Sequence, residues 1–437
     1  MHNRYHSWGR YPQFDQSGIR LHWRSQPLPI QEQASISYLP FGNGRSYGDS
    51  CLNEGGLLLD ARGLDRFIAF DSDKGFLRCE SGVLLADILA FSVPRGWFLP
   101  VVPGTKFVTV GGAVANDIHG KNHHSAGTFG CYVRCLELLR SNGQRLLCSP
   151  SENAEWFRAT IGGLGLTGLI LWAEIELKRI HNATMEVETV RFSGLDDFFD
   201  LCAESDPLYE YTVAWIDCMA QGLHVGRGIF LRGKHAGPNA VSVDPPRRRI
   251  GIPVVLPFPL ITRLTAHGFN QIHYRMQSRT RSSGFEHYER FFFPLDGIRH
   301  WNRLYGHRGF LQYQCVIPLV ENRTPLREIL NRIVHRSVDA YLGVLKIFGN
   351  RRSPGLLSFP RSGVTIALDF HHHGRHTLQL LEDLDEIVLS AGGAVNPYKD
   401  ARMSEASFKR YYPRWQELEG FRDPKFSSSF WRRVTGG

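Results

Sequence analysis

Phe41-Gly42-Asn43-Gly44-Arg45-Ser46-Tyr47-Gly48-Asp49 is the stretch on which the reading of this chain turns. Two further Gly-rich segments follow it. One is Pro103-Gly104-Thr105 with Thr109-Val110-Gly111-Gly112-Ala113; the other is Asn116-Asp117-Ile118-His119-Gly120-Lys121, continuing to Gly127-Thr128-Phe129-Gly130. Glycine reaches positive φ without steric penalty and lets backbone N–H groups converge on an anion, so each loop is a candidate phosphate nest. One such loop is a weak signal. Three between residues 41 and 130 suit an extended diphosphate wrapped from several sides.

A fourth segment, Gly163-Leu164-Gly165-Leu166-Thr167-Gly168, fits G-x-G-x-x-G. A dinucleotide fingerprint needs a strand before it and a helix after it. Here a helix-like run, Ala154 to Ile161, precedes and a strand-like run, Leu169 to Leu177, follows. The order excludes a Rossmann unit and leaves a tight helix-to-strand turn.

Around these loops, Tyr38 to Ile180 reads as short strands and turns. Strands are expected at Leu57 to Asp60 and Phe76 to Glu80, helices at Leu84 to Phe91 and Asn153 to Ile161. Leu169 to Ile180 alternates as an edge-compatible strand. After Ile180, strands at Val187 to Phe192 and Thr212 to Asp217 flank a helix, Leu195 to Glu204. Further strands are expected at Phe310 to Pro318, Gly343 to Phe348 and Val364 to Phe370, with helices at Leu326 to Ser337 and Leu378 to Ala391. Such mixing is α+β and suggests a second domain on one antiparallel sheet. The expected division is 1–183, 184–392 and a C-terminal segment, 393–437, that packs back on the first part. No internal repeat is visible.

Composition narrows the class. In 437 residues, 42% hydrophobic and 21% charged, disorder, collagen and coiled coil are excluded. Eight scattered cysteines with no Cys-x-x-Cys make neither a disulfide scaffold nor a zinc site, and fit a reducing compartment. His371, His372 and His373 alternate along a strand without an acidic partner, so no metal is expected. The opening MHNRYHSWGRYPQ lacks the apolar core of a signal peptide, and no apolar run spans a bilayer. The chain is therefore expected in the cytoplasm or peripherally at a membrane. Between Val225 and Arg290, eleven Lys or Arg face Asp244, Glu286 and Glu289, almost the whole excess of +9. With the apolar, Pro-broken centre Ile250 to Leu264, this reads as a flap meeting an anionic membrane surface. Arg247-Arg248-Arg249 lies beside Pro and Ile rather than among aromatic residues, so a nucleic-acid platform is excluded.

The loops GNGRSYGD, PGT…VTVGGAVANDIHGKNHHSAGTFG and GGLGLTG resemble the FAD domain of the vanillyl-alcohol oxidase (PCMH-type) superfamily. Within it the chain is similar to the decaprenylphosphoryl-β-D-ribose 2-oxidase family through GFLQYQCVIP, LKIFG, LSFP, YKDAR, YPRW and the Asp423-Pro424 tail. The resemblance implies a two-subdomain FAD-binding domain plus an α+β substrate domain. It implies cofactor contacts at Gly42, Asn43, Gly44, Arg45, Ser46, Tyr47, Gly104, Thr109, Val110, Gly111, Gly112, Asn116, Asp117, Ile118 and His119, with Ile170 on the adenine side. Lys399, in YKDAR, would offset negative charge developing on the reduced flavin, rather than pairing at the surface with Asp400. Gln312, Gln314 and Lys346, with Lys399, would meet the substrate, and Tyr47 would lie near the isoalloxazine. His119 would contact the flavin or substrate, while His123 and His124 satisfy backbone groups. Ala367 stands where the family has a cysteine, and Val395 where it has a tyrosine. The implied activity is oxidation of the 2′-hydroxyl of a polyprenyl-phosphate pentose to a 2-keto sugar. A short-chain NAD(P)H-dependent reductase would then complete an epimerisation. The alternative is an alditol or aldonolactone oxidase with FAD bonded covalently to His119.

Overall fold

The computed structural model describes residues 5–30, 35–246, 250–277, 280–319, 323–336 and 340–436. Two larger sheets and the short antiparallel pair of Trp97–Phe98 with Lys178–Arg179 precede Thr184 among the described residues. A parallel three-stranded sheet takes Ser17–Arg20, Leu57–Asp60 and Tyr38–Phe41, with Leu57–Asp60 in the middle. A five-stranded antiparallel sheet runs in the order Phe67–Asp71, Phe76–Glu80, Leu169–Glu176, Val133–Leu139, Arg145–Cys148. Leu169–Glu176 is thus a central strand and not an edge. Its alternation reports one wet face instead, on which Glu174 is paired by Arg78 and Arg134 while Leu171, Ala173 and Ile175 are buried. The turn before it follows the helix Ala154–Thr160, and Leu164 at φ 55° and Gly165 at φ 76° make the reversal.

The second part is an eight-stranded antiparallel sheet. Its order is Arg281–His287, Thr184–Phe192, Gly228–His235, Tyr211–Ile216, Ala340–Phe348, Gly363–His371, Phe310–Ile317, Ala394–Val395. Helices Leu195–Ser205, Thr324–Arg336 and Arg375–Ser390 put buried apolar residues into one core with this sheet. Inside the sheet's flank, Arg232 is closed by Glu188 at 2.6 Å and Glu204 at 3.0 Å.

The basic Val225–Arg290 stretch is not one flap. Gly228–His235 is an inner strand and Arg281–His287 the sheet's edge, because their residues complete the ladder on either side of Thr184–Phe192. What lies outside the sheet includes the helix Arg263–Met276, whose Asn270 and Tyr274 hydrogen-bond to Asp217 and to the Phe192 carbonyl. Arg247, Arg248 and Arg249 lie outside the described residues. The C-terminal segment returns to the first sheet: Tyr38 donates its N–H to the Lys425 carbonyl, and Ser427 to that of Tyr38. Arg433 bridges Asp49 and Asp400 at 2.7 and 3.1 Å. Among the described residues no helix is long and apolar enough to cross a membrane.

Candidate active site

The Gly loops and the eight-stranded sheet face each other across one cavity of about 1100 Å³. From the loops it is lined by Gly42 to Tyr47, Gly104, Thr109, Gly111, Gly112, Asn116, Ile118, His119 and, beyond the helix-to-strand turn, Ile170. From the sheet come Gln312, Gln314, Lys346, Thr365 and Ala367, and from the C-terminal segment Tyr398 and Lys399. Residues more than two hundred positions apart are brought together in this way. Sheet register does part of it: Gln312 pairs with Asp369, Gln314 with Ala367, and Lys346 with Thr365, so one face carries them all.

Two of the loop residues implied by the resemblance do not line the cavity. Val110 is fully buried in the apolar core on the first turn of Val110–Ala115. Asp117 is buried with its carboxylate accepting from the Gly130 N–H at 2.8 Å and from Ser353 and Ser358. It ties the loop to residues 353–358, a structural task.

His119 is held at both ring nitrogens. Lys346 Nζ lies 2.8 Å from Nδ1 and donates to the Gly120 carbonyl at 2.9 Å; Gln314 Nε2 lies 3.1 Å from Nε2. Asn396 Nδ2 donates to Gln314 Oε1 at 2.9 Å, so the glutamine amide turns its NH₂ to His119 and to Thr365 Oγ1. Burial, then the charges of Lys346 and Lys399, holds His119 well below the usual imidazole range. Burial, then Lys399 and Lys121, does the same to Lys346. The imidazole is therefore neutral, and its contacts fix the tautomer. Nε2 accepts from the Gln314 amide, which leaves the imidazole proton on Nδ1, facing Lys346 Nζ.

Lys399 is half-buried with Nζ 5.4 Å from the centre of the Tyr47 ring. It does not pair with Asp400, which Arg433 holds at 3.1 Å and which accepts the backbone N–H groups of Arg402 and Met403. Burial lowers the Lys399 ammonium to about 8, against the opposing pull of Asp369. Sequence reasoning missed Asp369. Its Oδ1 accepts from Gln312 Nε2 at 2.5 Å, Oδ2 has no partner among the described residues, and burial raises the carboxyl to about 7. Its place two residues beyond Ala367 on a buried strand was the available signal. Asn396 was also missed; nothing in its local sequence marks it. His123 packs on Phe348 at 4.3 Å, with neither ring nitrogen bonded among the described residues, whereas His124 meets the Tyr209 carbonyl at 3.3 Å. No group of three metal-ligating side chains exists among the described residues.

The cavity's chemistry fits a dinucleotide. A Cβ on Gly104 would meet no atom within 4 Å and so would fill cavity space. A Cβ on Gly42 would meet Thr109 Oγ1 at 2.3 Å, and one on Gly111 the Ser81 Cβ at 2.9 Å, so the loops can lie this close only as glycines. The buried hydroxyls of Ser50 and Ser81, both on the wall, have no hydrogen-bond partner among the described residues.

These features define a flavoprotein, and residues 30–149 match the FAD binding domain family. The chain is an FAD-dependent oxidoreductase of a sugar. It is 36% identical over 420 residues to decaprenylphosphoryl-beta-D-ribose oxidase of Mycolicibacterium smegmatis, which covers 92% of this chain and 90% of that one. The chain belongs to the decaprenylphosphoryl-beta-D-ribose oxidase family. An uncharacterized protein of Streptomyces coelicolor is 33% identical over 78% of this chain and 97% of its own length. L-gulonolactone oxidase of Bos taurus is similar over a shorter span, 32% identical across 34% of this chain and 33% of its own.

Proposed function

We propose that this chain oxidises the 2′-hydroxyl of a pentose carried on a polyprenyl phosphate, giving a 2-keto sugar. Bound FAD supplies the hydride acceptor. Gly42, Gly104, Gly111 and Gly112 would hold its diphosphate, Ile170 would serve the adenine side, and Tyr47 would lie near the ring system. Gln312 and Gln314 orient sugar hydroxyls, and Lys346 keeps His119 in one tautomer. Lys399 supplies the cation that meets developing negative charge. The observation that carries this reading is the set Gln312, Gln314, Lys346 and Lys399 on one side of the cavity, facing the Gly loops on the other. The ketone is the substrate a short-chain NAD(P)H-dependent reductase needs to return the inverted alcohol, so oxidation here would be the first half of an epimerisation. The domain division 1–183, 184–392 and 393–437 belongs to the same reading.

A membrane surface as partner is supported by the helix Arg263–Met276. Its outward residues mix apolar and basic side chains, with Leu264 82% and Met276 77% exposed beside Arg263 and Arg275, and it contains no Asp or Glu. Phe269 and His273 from the same helix line the cavity, so the apolar surface is continuous with the entrance. The covalent alternative is disfavoured by the engagement of both His119 nitrogens. The test is anaerobic mixing of the yellow protein with farnesylphosphoryl-ribofuranose. The flavin should bleach, and free ribose at the same concentration should leave it oxidised. Equal bleaching by both, or by neither, refutes the proposal.

A further inference from the structure

At the cavity entrance the N-terminal segment packs along residues 296–310. Asn302 Nδ2 donates to the Trp8 carbonyl at 2.9 Å, Gln13 Nε2 to that of His307 at 2.8 Å, and Phe310 N–H to that of Gly9 at 2.9 Å. The Trp8 ring stands edge-on to Trp301 at 5.6 Å and carries the Arg45 guanidinium 4.0 Å from its centre. This ladder sets Arg45 beside Arg299 and His300, and all of them line the cavity. Arg10 and Arg303 join the cluster. After burial, it is Arg10, Arg303, Arg45 and His300 that hold His6 below the usual imidazole range.

The cluster closes no ion pair among the described residues, although the Asp296 carboxylate acts on Arg45. Elsewhere in this chain, buried arginines such as Arg232 and Arg402 close on carboxylates. Among the described residues Arg10, Arg45, Arg299 and Arg303 form no ion pair. The carboxylate felt by Arg45, that of Asp296, already accepts the Lys106 N–H at 2.9 Å. The Nε atoms of Arg10 and Arg45 are buried with no acceptor. Unmet buried donors and mutually repelling guanidinium groups are both costly, and an anion with several oxygens relieves both at once.

We propose that Arg45 and Arg10, with Arg299 and His300, form a subsite for a phosphate ester, the group linking sugar and lipid in the substrate. It rests on the polyprenyl-phosphate reading above, and it moves Arg45 from the cofactor to the substrate. The diphosphate of FAD is left to Gly42 and the Gly104–Gly112 region.

Calorimetric titration of the FAD-loaded protein with farnesyl phosphate, farnesol and inorganic phosphate tests this. The wild type should bind farnesyl phosphate at least about ten-fold more tightly than farnesol, and inorganic phosphate should compete weakly. Arg45→Gln should weaken farnesyl phosphate binding by about ten- to a hundred-fold, leave farnesol unchanged and keep the flavin absorbance. Arg10→Gln should act in the same direction. Loss of FAD in Arg45→Gln would assign the arginine to the cofactor and overturn the proposal, as would equal affinity of the wild type for the two farnesyl compounds. Anionic vesicles separate the sources of phosphate. Arg45→Gln should sediment with them as the wild type does; lost sedimentation with unchanged farnesyl phosphate binding would make the cluster a surface device and sink the subsite. If Arg45-dependent binding holds but no polyprenyl-phosphate sugar bleaches the flavin, the subsite stands and the proposed activity falls.

Discussion

Replacing Lys399 by Ala removes the cation that lines the cavity with its Nζ 5.4 Å from the centre of the Tyr47 ring. Lys346, which also lines the cavity, is committed to His119 and the Gly120 carbonyl, and burial with Lys399 and Lys121 lowers its hold on a proton. A single donor aimed at developing charge is typically worth about 10²–10³ in rate, or about 2.7–4 kcal/mol. The loss should fall in that range. The fold and the FAD content should survive, because Lys399 makes no ion pair among the described residues and the Gly loops do not depend on it. Two pH signatures accompany the change. Flavin reduction by the wild type should fall as pH rises through about 8, where Lys399 loses its proton, while Lys399→Ala is flat there. In stability the sign is opposite. The folded ammonium titrates near 8 against 10.5 for the ordinary side chain, so between these values the unfolded chain binds more protons. Wild-type stability should therefore rise with pH across that window relative to Lys399→Ala. Lys399→Arg, charged at every accessible pH, should lose the alkaline limb. The assays are stopped-flow bleaching of the flavin and thermal unfolding across pH. Bleaching by Lys399→Ala within about three-fold of wild type, far short of the expected hundred-fold loss, refutes the reasoning.

Gly111→Leu should yield folded but colourless protein, since its Cβ would lie 2.9 Å from Ser81 Cβ at the diphosphate loop; a full flavin complement would show the loop is misassigned. Glu188→Gln should destabilise the protein by about 3–5 kcal/mol in urea unfolding, because Arg232 is buried between Glu188 and Glu204. Changing Leu264, Ile272 and Met276 together to Ser should cut sedimentation with anionic vesicles while leaving FAD in place, as these side chains are exposed on the outer face of Arg263–Met276. Acid precipitation should release the yellow colour to the supernatant; colour retained in the pellet would mean a covalent link and contradict the tautomer assigned to His119.

Local sequence reaches as far as local physics does. Glycine spacing located the cofactor loops, since close approach and positive φ are properties of single residues. The strand–helix order around Gly163 to Gly168 excluded a Rossmann unit on the same ground. Strand Leu57–Asp60 and strand Phe76–Glu80 lie where apolar runs and turns place them. Alternation, however, records only that one face is wet, which is why Leu169 to Ile180 read as edge-compatible while Leu169–Glu176 sits at the centre of its sheet. The basic stretch misled in a related way: charge counting along the chain cannot see that Gly228–His235 and Arg281–His287 complete a ladder begun at Thr184. Tertiary structure alone decided which loop residues face the cavity. It turned Asp117 inward to Ser353 and Ser358, and register across the sheet set Asp369 against Gln312. It also decided protonation. Lys346 and His119 are an ordinary lysine and histidine in sequence, and only burial with neighbouring charge pulls both well below their ordinary ranges, because desolvation and neighbouring charge exist only once the chain has folded.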